Sequence, residues 1–300
     1  MGHVYCGCVL IQVRVFESLY ALGRAITYRM SLRIVSLDNA NNDIPISFPV
    51  LLKAESPTYF ALLRSWLYWC NQSHDCNERG LESSILPTRL LYVGDLDDSD
   101  YNPNMLRLHT TALTDKGKYI ALSHCWGNLP TEAQKRFCTT QSNISHRLRG
   151  FSISELPKSF QDAVKVTREL RIPYLWIDSL CIVQYDDKDW QRESRRMEAV
   201  FASAYCTVAA TSAVDSNAGF LNREVRSECV LVQDDSGRRF YISTDIDDFD
   251  NDVDNAQLNK RAWVMQERVL SRRTIHFTAN QTYFECGKGV YCENLTRLER

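Results

Sequence analysis

Three runs decide the fold: Lys118-Tyr-Ile-Ala-Leu-Ser-His-Cys125, Tyr174-Leu-Trp-Ile-Asp-Ser-Leu-Cys-Ile-Val183 and Tyr205-Cys-Thr-Val-Ala-Ala-Thr211. Each is short and largely apolar, as expected of a strand covered on both faces. The first ends at Trp126-Gly127, which reads as a turn. Between the first and second runs, Leu156-Pro157 opens a helix through Leu170, with proline suited to a first turn. Phe160, Val164, Thr167 and Leu170 keep the helical period, and Pro173 ends it. Asp187 to Ala204 reads as a second helix. Strand, helix, strand, helix, strand implies a parallel sheet with right-handed crossovers, hence an α/β fold.

Outward from this core the elements are simpler. Residues 57–72 carry Phe60, Leu63, Trp66, Leu67 and Cys70 at helical spacing. Arg89–Val93 reads as a short strand, followed by a loop holding Asp95, Asp97, Asp98 and Asp100. Downstream, Arg239–Thr244 reads as a strand, and six aspartates lie between Asp245 and Asp254. Arg261–Leu270 reads as a short helix. Thr274–Thr278 and Thr282–Cys286 flank Ala279-Asn280-Gln281 as a hairpin. Residues 1–56 receive no assignment.

The chain has 300 residues, 44% apolar and 24% charged, which is ordinary globular composition. Disorder, collagen and coiled coil are excluded as the main architecture, and no apolar run approaches the ~18 residues of a membrane span. Thirty-five basic against 37 acidic side chains leave −2, which argues neither for nucleic acid nor for an anionic membrane. Eleven cysteines are scattered rather than framed at short spacings. The N-terminus is a poor signal peptide, because it lacks a basic start and Gln12 and Arg14 interrupt its apolar stretch. Cys6 stands where a myristoylation motif needs Ser or Thr. These features together suggest a cytoplasmic protein with mostly buried free thiols.

In an open parallel sheet, ligands bind beyond the carboxyl ends of the strands. Ser123, His124 and Cys125 lie at that end of the first run, and Asp178 and Ser179 lie toward it in the second. The alternative is that Ser123 and Asp178 only cap nearby backbone. Glu193 sits on or beside an apolar stripe formed by Trp190, Met197, Phe201 and Ala204. A carboxylate there must be paired, hydrogen-bonded or placed in a cleft. Arg192, Arg195 and Arg196 make a structural ion pair the competing reading. Trp263, Gln266, Glu267 and Leu270 share one helical face, which suggests a buried structural network that includes Trp190 from the neighbouring helix.

Cys70 and His74, four apart, with Cys76 beyond, are plausible zinc ligands. No second ligand pair has the usual spacing, so no metal site is expected. Asp248, Asp250 and Asp252 start like an EF-hand, but Val253 replaces the required glycine and Asn259 the final glutamate. No P-loop, G-x-G-x-x-G, G-x-S-x-G or H-E-x-x-H is present. A Cys125 or Cys181 nucleophile served by His124 is disfavoured for Cys125, because adjacent strand residues point to opposite faces.

Taken together, the motif segments resemble the HET (heterokaryon incompatibility) domain of filamentous fungi. They are Tyr119 to Gly127, Leu156 to Ala163, Tyr174 to Gln184, Asp189-Trp190 with Glu193, Met197 and Ala204, and Arg261 to Arg268 with Leu270 and Arg273. The resemblance covers residues 119–286 as the domain, with 57–118 as a leader packing on it and 287–300 as a tail. It implies a role in non-self recognition, where the domain triggers programmed cell death. It also implies a distant likeness to TIR domains, some of which cleave NAD with a glutamate. On that analogy NAD is the candidate substrate, and Glu193, Asp178 and Ser123 are the candidate catalytic residues. Trp126, Gly127 and Trp176 would then line the bound nucleotide. His124 stands where the family often has tyrosine, which argues against proton transfer by it.

Two functions from different classes follow. A nucleotide-consuming effector needs a cleft holding Ser123, Asp178 and Glu193 together. A signalling module that self-associates or recruits a protein partner predicts those residues buried and hydrogen-bonded, beside an exposed apolar patch. A degenerate member is disfavoured, because every motif segment is present.

Overall fold

A computed structural model describes residues 35–36, 54–74, 76, 86–95, 101–112, 114–128, 130–223, 229–233, 239–243, 248–294 and 297–298. The strands are β1 (Val35–Ser36), β2 (Arg89–Tyr92), β3 (Met105–Thr110), β4 (Tyr119–Ser123), β5 (Phe151–Ser152), β6 (Tyr174–Trp176) and β7 (Cys206–Ala209). They continue with β8 (Cys229–Gln233), β9 (Arg239–Ser243), β10 (Arg273–Phe277), β11 (Thr282–Cys286), β12 (Gly289–Cys292) and β13 (Arg297–Leu298). The helices are α1 (Pro57–Ser73), α2 (Thr131–Phe137), α3 (Ile144–Arg149), α4 (Lys158–Glu169), α5 (Asp178–Cys181), α6 (Asp187–Ser194), α7 (Met197–Ser203) and α8 (Ala262–Leu270).

One mixed sheet runs β13-β12-β11-β10-β7-β4-β6-β2-β3-β5. Its centre is parallel: β6 on β4, β4 on β7, β7 on β10. In chain order these are the second, first, third and fourth parallel strands, as in open doubly wound sheets. Antiparallel strands extend both flanks. A separate antiparallel ribbon joins β1, β9 and β8. The expected parallel α/β core is therefore present, but inside a wider mixed sheet. β3 and β5 on one side and β12 and β13 on the other are not expected from the sequence, because none is a long apolar run set off from its surroundings. The sheet thus continues into residues assigned to the tail.

Period two explains the layering. Ile120 and Leu122 of β4, Leu175 of β6 and Val208 of β7 face a core filled by α1 and α4. Tyr119, Ala121 and Trp176 face the other way, against Val200 and Phe201 of α7, with Leu270 of α8 at its margin. All five residues of β4 are buried. In α1, Ser56 caps the start by accepting the Tyr59 N–H at 3.2 Å, and Pro57 takes the first turn. Tyr59, Phe60, Leu63, Trp66, Leu67 and Cys70 form its buried stripe. α4 stops where Arg171 turns left-handed, φ 58°, two residues before Pro173.

Two expectations need correction. The run 174–183 is not one long strand: after Trp176 the chain turns into the one-turn helix α5. The helix expected over 187–204 is two, broken at Arg195 and Arg196. Among the described residues, no helix is long and apolar enough to cross a membrane. Residues 1–34, Asp97, Asp98, Asp100, Asp245 and Asp247 lie outside the described residues.

Asp162, buried on α4, holds the chain after β7. Its Oδ2 accepts the N–H groups of Phe220 at 2.8 Å and Leu221 at 3.2 Å, and its other oxygen meets Lys158. Gly219 makes this approach feasible: φ is +72°, and a Cβ there would lie 2.9 Å from Asp162 Oδ2. Asp162→Ala leaves two buried N–H groups unpaired and should cost about 2–4 kcal/mol in chemical denaturation. A loss under about 0.5 kcal/mol would show that the loop is held by something else.

Candidate functional site

A cavity of about 180 Å³ opens beyond the carboxyl ends of β4 and β6. Leu122, His124 and Trp126 approach it from the first strand, Trp176 and Asp178 from the second. Ile182, Gln184, Trp190, Ser194 and Met197 line the side below α6 and α7, and Arg261, Trp263 and Glu267 cover it from α8. Position follows from topology: β4 is flanked by strands reached in opposite directions, and the crevice forms where the connections diverge.

Glu267 is the carboxyl turned inward. Ser123 Oγ donates to its Oε2 at 2.6 Å. Burial, aided by the nearby Asp178 charge, pushes Glu267 up to about 7, against the Ser123 hydrogen bond and Arg261. Asp178 accepts from Trp126 Nε1 at 2.8 Å and from the Ser179 N–H at 2.6 Å. Arg261 donates to the His124 carbonyl at 2.7 Å, pinning the start of α8 to the strand end. Burial lowers the His124 imidazole below its ordinary value, so the ring is neutral near pH 7. Its Nε2 is buried without a hydrogen-bond partner. Burial also raises the Cys125 thiol, which disfavours a thiolate there.

Asp178, Trp126 and Trp176 therefore converge on one cleft, while Ser123 stands outside the lining and reaches it only through its hydrogen bond to Glu267. Gly127 does not line it. Its φ of +75° turns the chain after Trp126, and a Cβ would stand 2.3 Å from Asp215 Cβ. Glu193 also lies outside the lining. It is buried on α6, accepts from Arg192 Nε at 2.8 Å, and lies 4.0 Å from the Arg89 guanidinium. Asp189, one turn earlier, pairs with both arginines and accepts the Val183 N–H at 2.8 Å. α6 thus buries Asp189 and Glu193 and leaves Trp190 exposed, the reverse of the expected apolar stripe. Arg89, reaching from β2, is what makes a buried acidic face tolerable.

The network expected of Trp190, Trp263, Gln266 and Glu267 reduces to Glu267. Gln266 is exposed, and Trp190 and Trp263 are 54% and 64% exposed at the cavity rim. Arg261 and Gln184 stand in the sequence only as motif residues, and Glu267 only as a member of the α8 network. No spacing rule gives Glu267 its partner Ser123 or Arg261 its partner His124, because both lie on a distant strand.

Residues 119–267 match the family model described as heterokaryon incompatibility protein (HET). The chain is a heterokaryon incompatibility domain protein. The matched span runs from the first residue of β4 to Glu267. No curated protein and no solved structure matches the chain.

Two outcomes are expected. Arg89→Met strands two buried carboxylates and should cost about 3–5 kcal/mol in denaturant unfolding; a loss below 1 kcal/mol would mean that Arg192 alone suffices. For Glu267 the folded value lies above the ordinary 4.5, so the folded state holds the proton more tightly. That contribution is complete below the ordinary value and is lost as pH rises through about 7. Stability should fall by about 2–3 kcal/mol between about pH 5 and pH 8. Glu267→Gln should flatten that slope, and an unchanged slope would assign it elsewhere.

Proposed function

We propose that this protein is a non-self-recognition effector whose HET domain triggers cell death by breaking the nicotinamide–ribose bond of NAD. The observation that carries the reading is Glu267, a half-buried carboxyl held by one hydroxyl and facing a cleft walled by tryptophans. The family's distant likeness to TIR domains supplies the reaction class. The cavity is smaller than the ~300–1,000 Å³ of most ligand clefts, so it suits one end of a dinucleotide. Trp126 and Trp176 would flank the nicotinamide and its ribose, with the rest of the molecule lying over the rim. In the reaction the C1′–N bond breaks and its electron pair leaves on nicotinamide. Water oxygen bonds to C1′, and the water proton is released. Ionised Glu267 would stabilise the oxocarbenium-like centre, with Asp178 as the second carboxylate. Ser123 orients Glu267 and, in this role, does not touch substrate. Glu193 plays no chemical part, because Arg89 and Arg192 occupy it.

A second reading has its own observation. Trp190, Trp263, Met265 and Val269 are each more than half exposed, and three of them sit on α8. Trp190 and Trp263 rim the cleft and Met265 and Val269 line a second concavity, and exposed apolar side chains of this kind suit self-association or a protein partner. The two readings combine if association completes the cleft.

The test is nicotinamide release by the purified full chain at high concentration. Glu267→Gln should lower the rate by at least about 100-fold while retaining a cooperative unfolding transition. Glu193→Gln should change stability more than turnover. No release by the wild type, even with self-association forced, would leave the module reading in its place.

A further inference from the structure

Four soft or borderline metal donors meet at the end of the sheet opposite the cleft. Cys70 lies in the last turn of α1 and is fully buried. His74 follows the helix in extended conformation, its N–H bonded to the Cys70 carbonyl at 3.1 Å. Cys76 comes next. The fourth donor is Cys286, at the end of β11, more than two hundred residues away in sequence. The ligand atoms of all four lie within 4.8 Å of one another. Cys286 pairs with Arg273 at the start of β10, and β10 runs parallel to β4 and β7. The cluster therefore sits at the amino ends of the parallel strands, away from Glu267.

The geometry points to a structural zinc site with Cys70, His74, Cys76 and Cys286 as its four ligands. Three sulfurs and one imidazole form a Cys3His set, which selects zinc among common divalent ions. Tetrahedral zinc, with Zn–S about 2.3 Å and Zn–N about 2.0 Å, separates sulfur from nitrogen by about 3.5 Å and sulfur from sulfur by about 3.8 Å. Cys286 Sγ and His74 Nδ1 are 3.4 Å apart. The surroundings resemble a second shell. The Lys288 N–H is directed at the Cys286 sulfur from the turn Cys286-Gly287-Lys288-Gly289. Trp69 packs edge-on against the His74 ring at 4.4 Å, and Tyr291 lies over it at 6.3 Å. Such contacts fix ring orientation and keep water from the ligands. Four protein ligands leave no open position, so the ion would be structural and not catalytic. A disulfide is the competing use of these thiols, but it would engage two sulfurs and leave the third and the imidazole without a task. The sequence showed three of the four ligands. It hid the fourth, because a single cysteine on a distant hairpin has no ligand spacing to betray it.

The ion would tie the end of α1 to the β11–β12 turn and so fix the leader on the C-terminal edge of the sheet. The test is elemental analysis of the reduced full chain, with cobalt substitution as a spectroscopic probe. About one zinc per chain and the intense visible absorption of tetrahedral cobalt–thiolate are expected. Cys76→Ser and Cys286→Ser should each lose most of the metal and lower the unfolding temperature. Cys206→Ser, outside the cluster, should keep it. Because the readout is metal content, it is independent of NAD turnover. Any of three results would overturn the site: no uptake of zinc or cobalt by the reduced wild type, variants that bind as the wild type does, or a Cys70–Cys286 disulfide in the isolated protein.

Discussion

β4 has no free face. Its five residues alternate between two helical layers, and both neighbours in the sheet are parallel strands. A strand enclosed in this way can present polar chemistry only at its ends, because a polar side chain along its length would be buried without a partner. At the carboxyl end, Ser123 turns its hydroxyl to Glu267, and the His124 carbonyl receives Arg261. Both bonds reach α8, which lies more than one hundred residues later. The cover of the cleft is thus held by the strand that forms its floor. Weakening that strand would disturb the core and the site together.

The carboxyls withdrawn from solvent around this core meet different fates, and the contrast isolates the site. Asp162 is neutralised by two backbone N–H groups and a lysine, which makes it a tie between α4 and the chain after β7. Asp189 and Glu193 share two guanidinium groups. Each arrangement uses up the acceptor capacity of its carboxylate. Glu267 has one neutral donor and a like charge nearby, so its proton is held until near neutrality. A carboxyl poised in that way and open to a cavity retains capacity for a ligand. Burial alone does not mark a functional acid; an incomplete set of partners does.

The legible part of the sequence was that governed by local rules. The three apolar runs, the proline-started α4, the helical stripe of α1 and the β10–β11 hairpin all announce themselves by period and punctuation, as do Ser123 and Asp178 by their place at strand ends. What stayed hidden depends on distant partners. The ion pair of Glu193 with Arg192 is open to a sequence reading, but Arg89, 4.0 Å from the same carboxylate, lies on a strand over one hundred residues earlier and is not. Trp190 and Trp263 read as core because large aromatics at helical spacing usually are. They lie instead at the rim of the cleft, where an apolar ring can remain half-exposed. β12 carries only the short apolar run Val290-Tyr291-Cys292, and β13, the edge strand, carries none.

Both ends of the parallel sheet carry a convergence that no local motif could specify, and the two differ in kind. At the carboxyl ends the groups are hydroxyl, carboxyl, indole and guanidinium around a cavity, with aromatic rings left open to solvent. At the amino ends they are thiols and an imidazole drawn together under Trp69 and Tyr291. Open position and unspent acceptors suit a ligand that comes and goes. A set of four protein donors with no open position suits an ion that stays. Among the described residues, α1 touches only the second of these. Trp66 stacks on Phe284, and Tyr59 bonds Thr282 at 2.6 Å, so α1 is fastened to β11 along its length. β11 in turn holds β10, the strand that α8 enters directly. The path from the leader to the cover of the cleft therefore runs through one hairpin. Anything that fixes that hairpin also fixes where Glu267 stands.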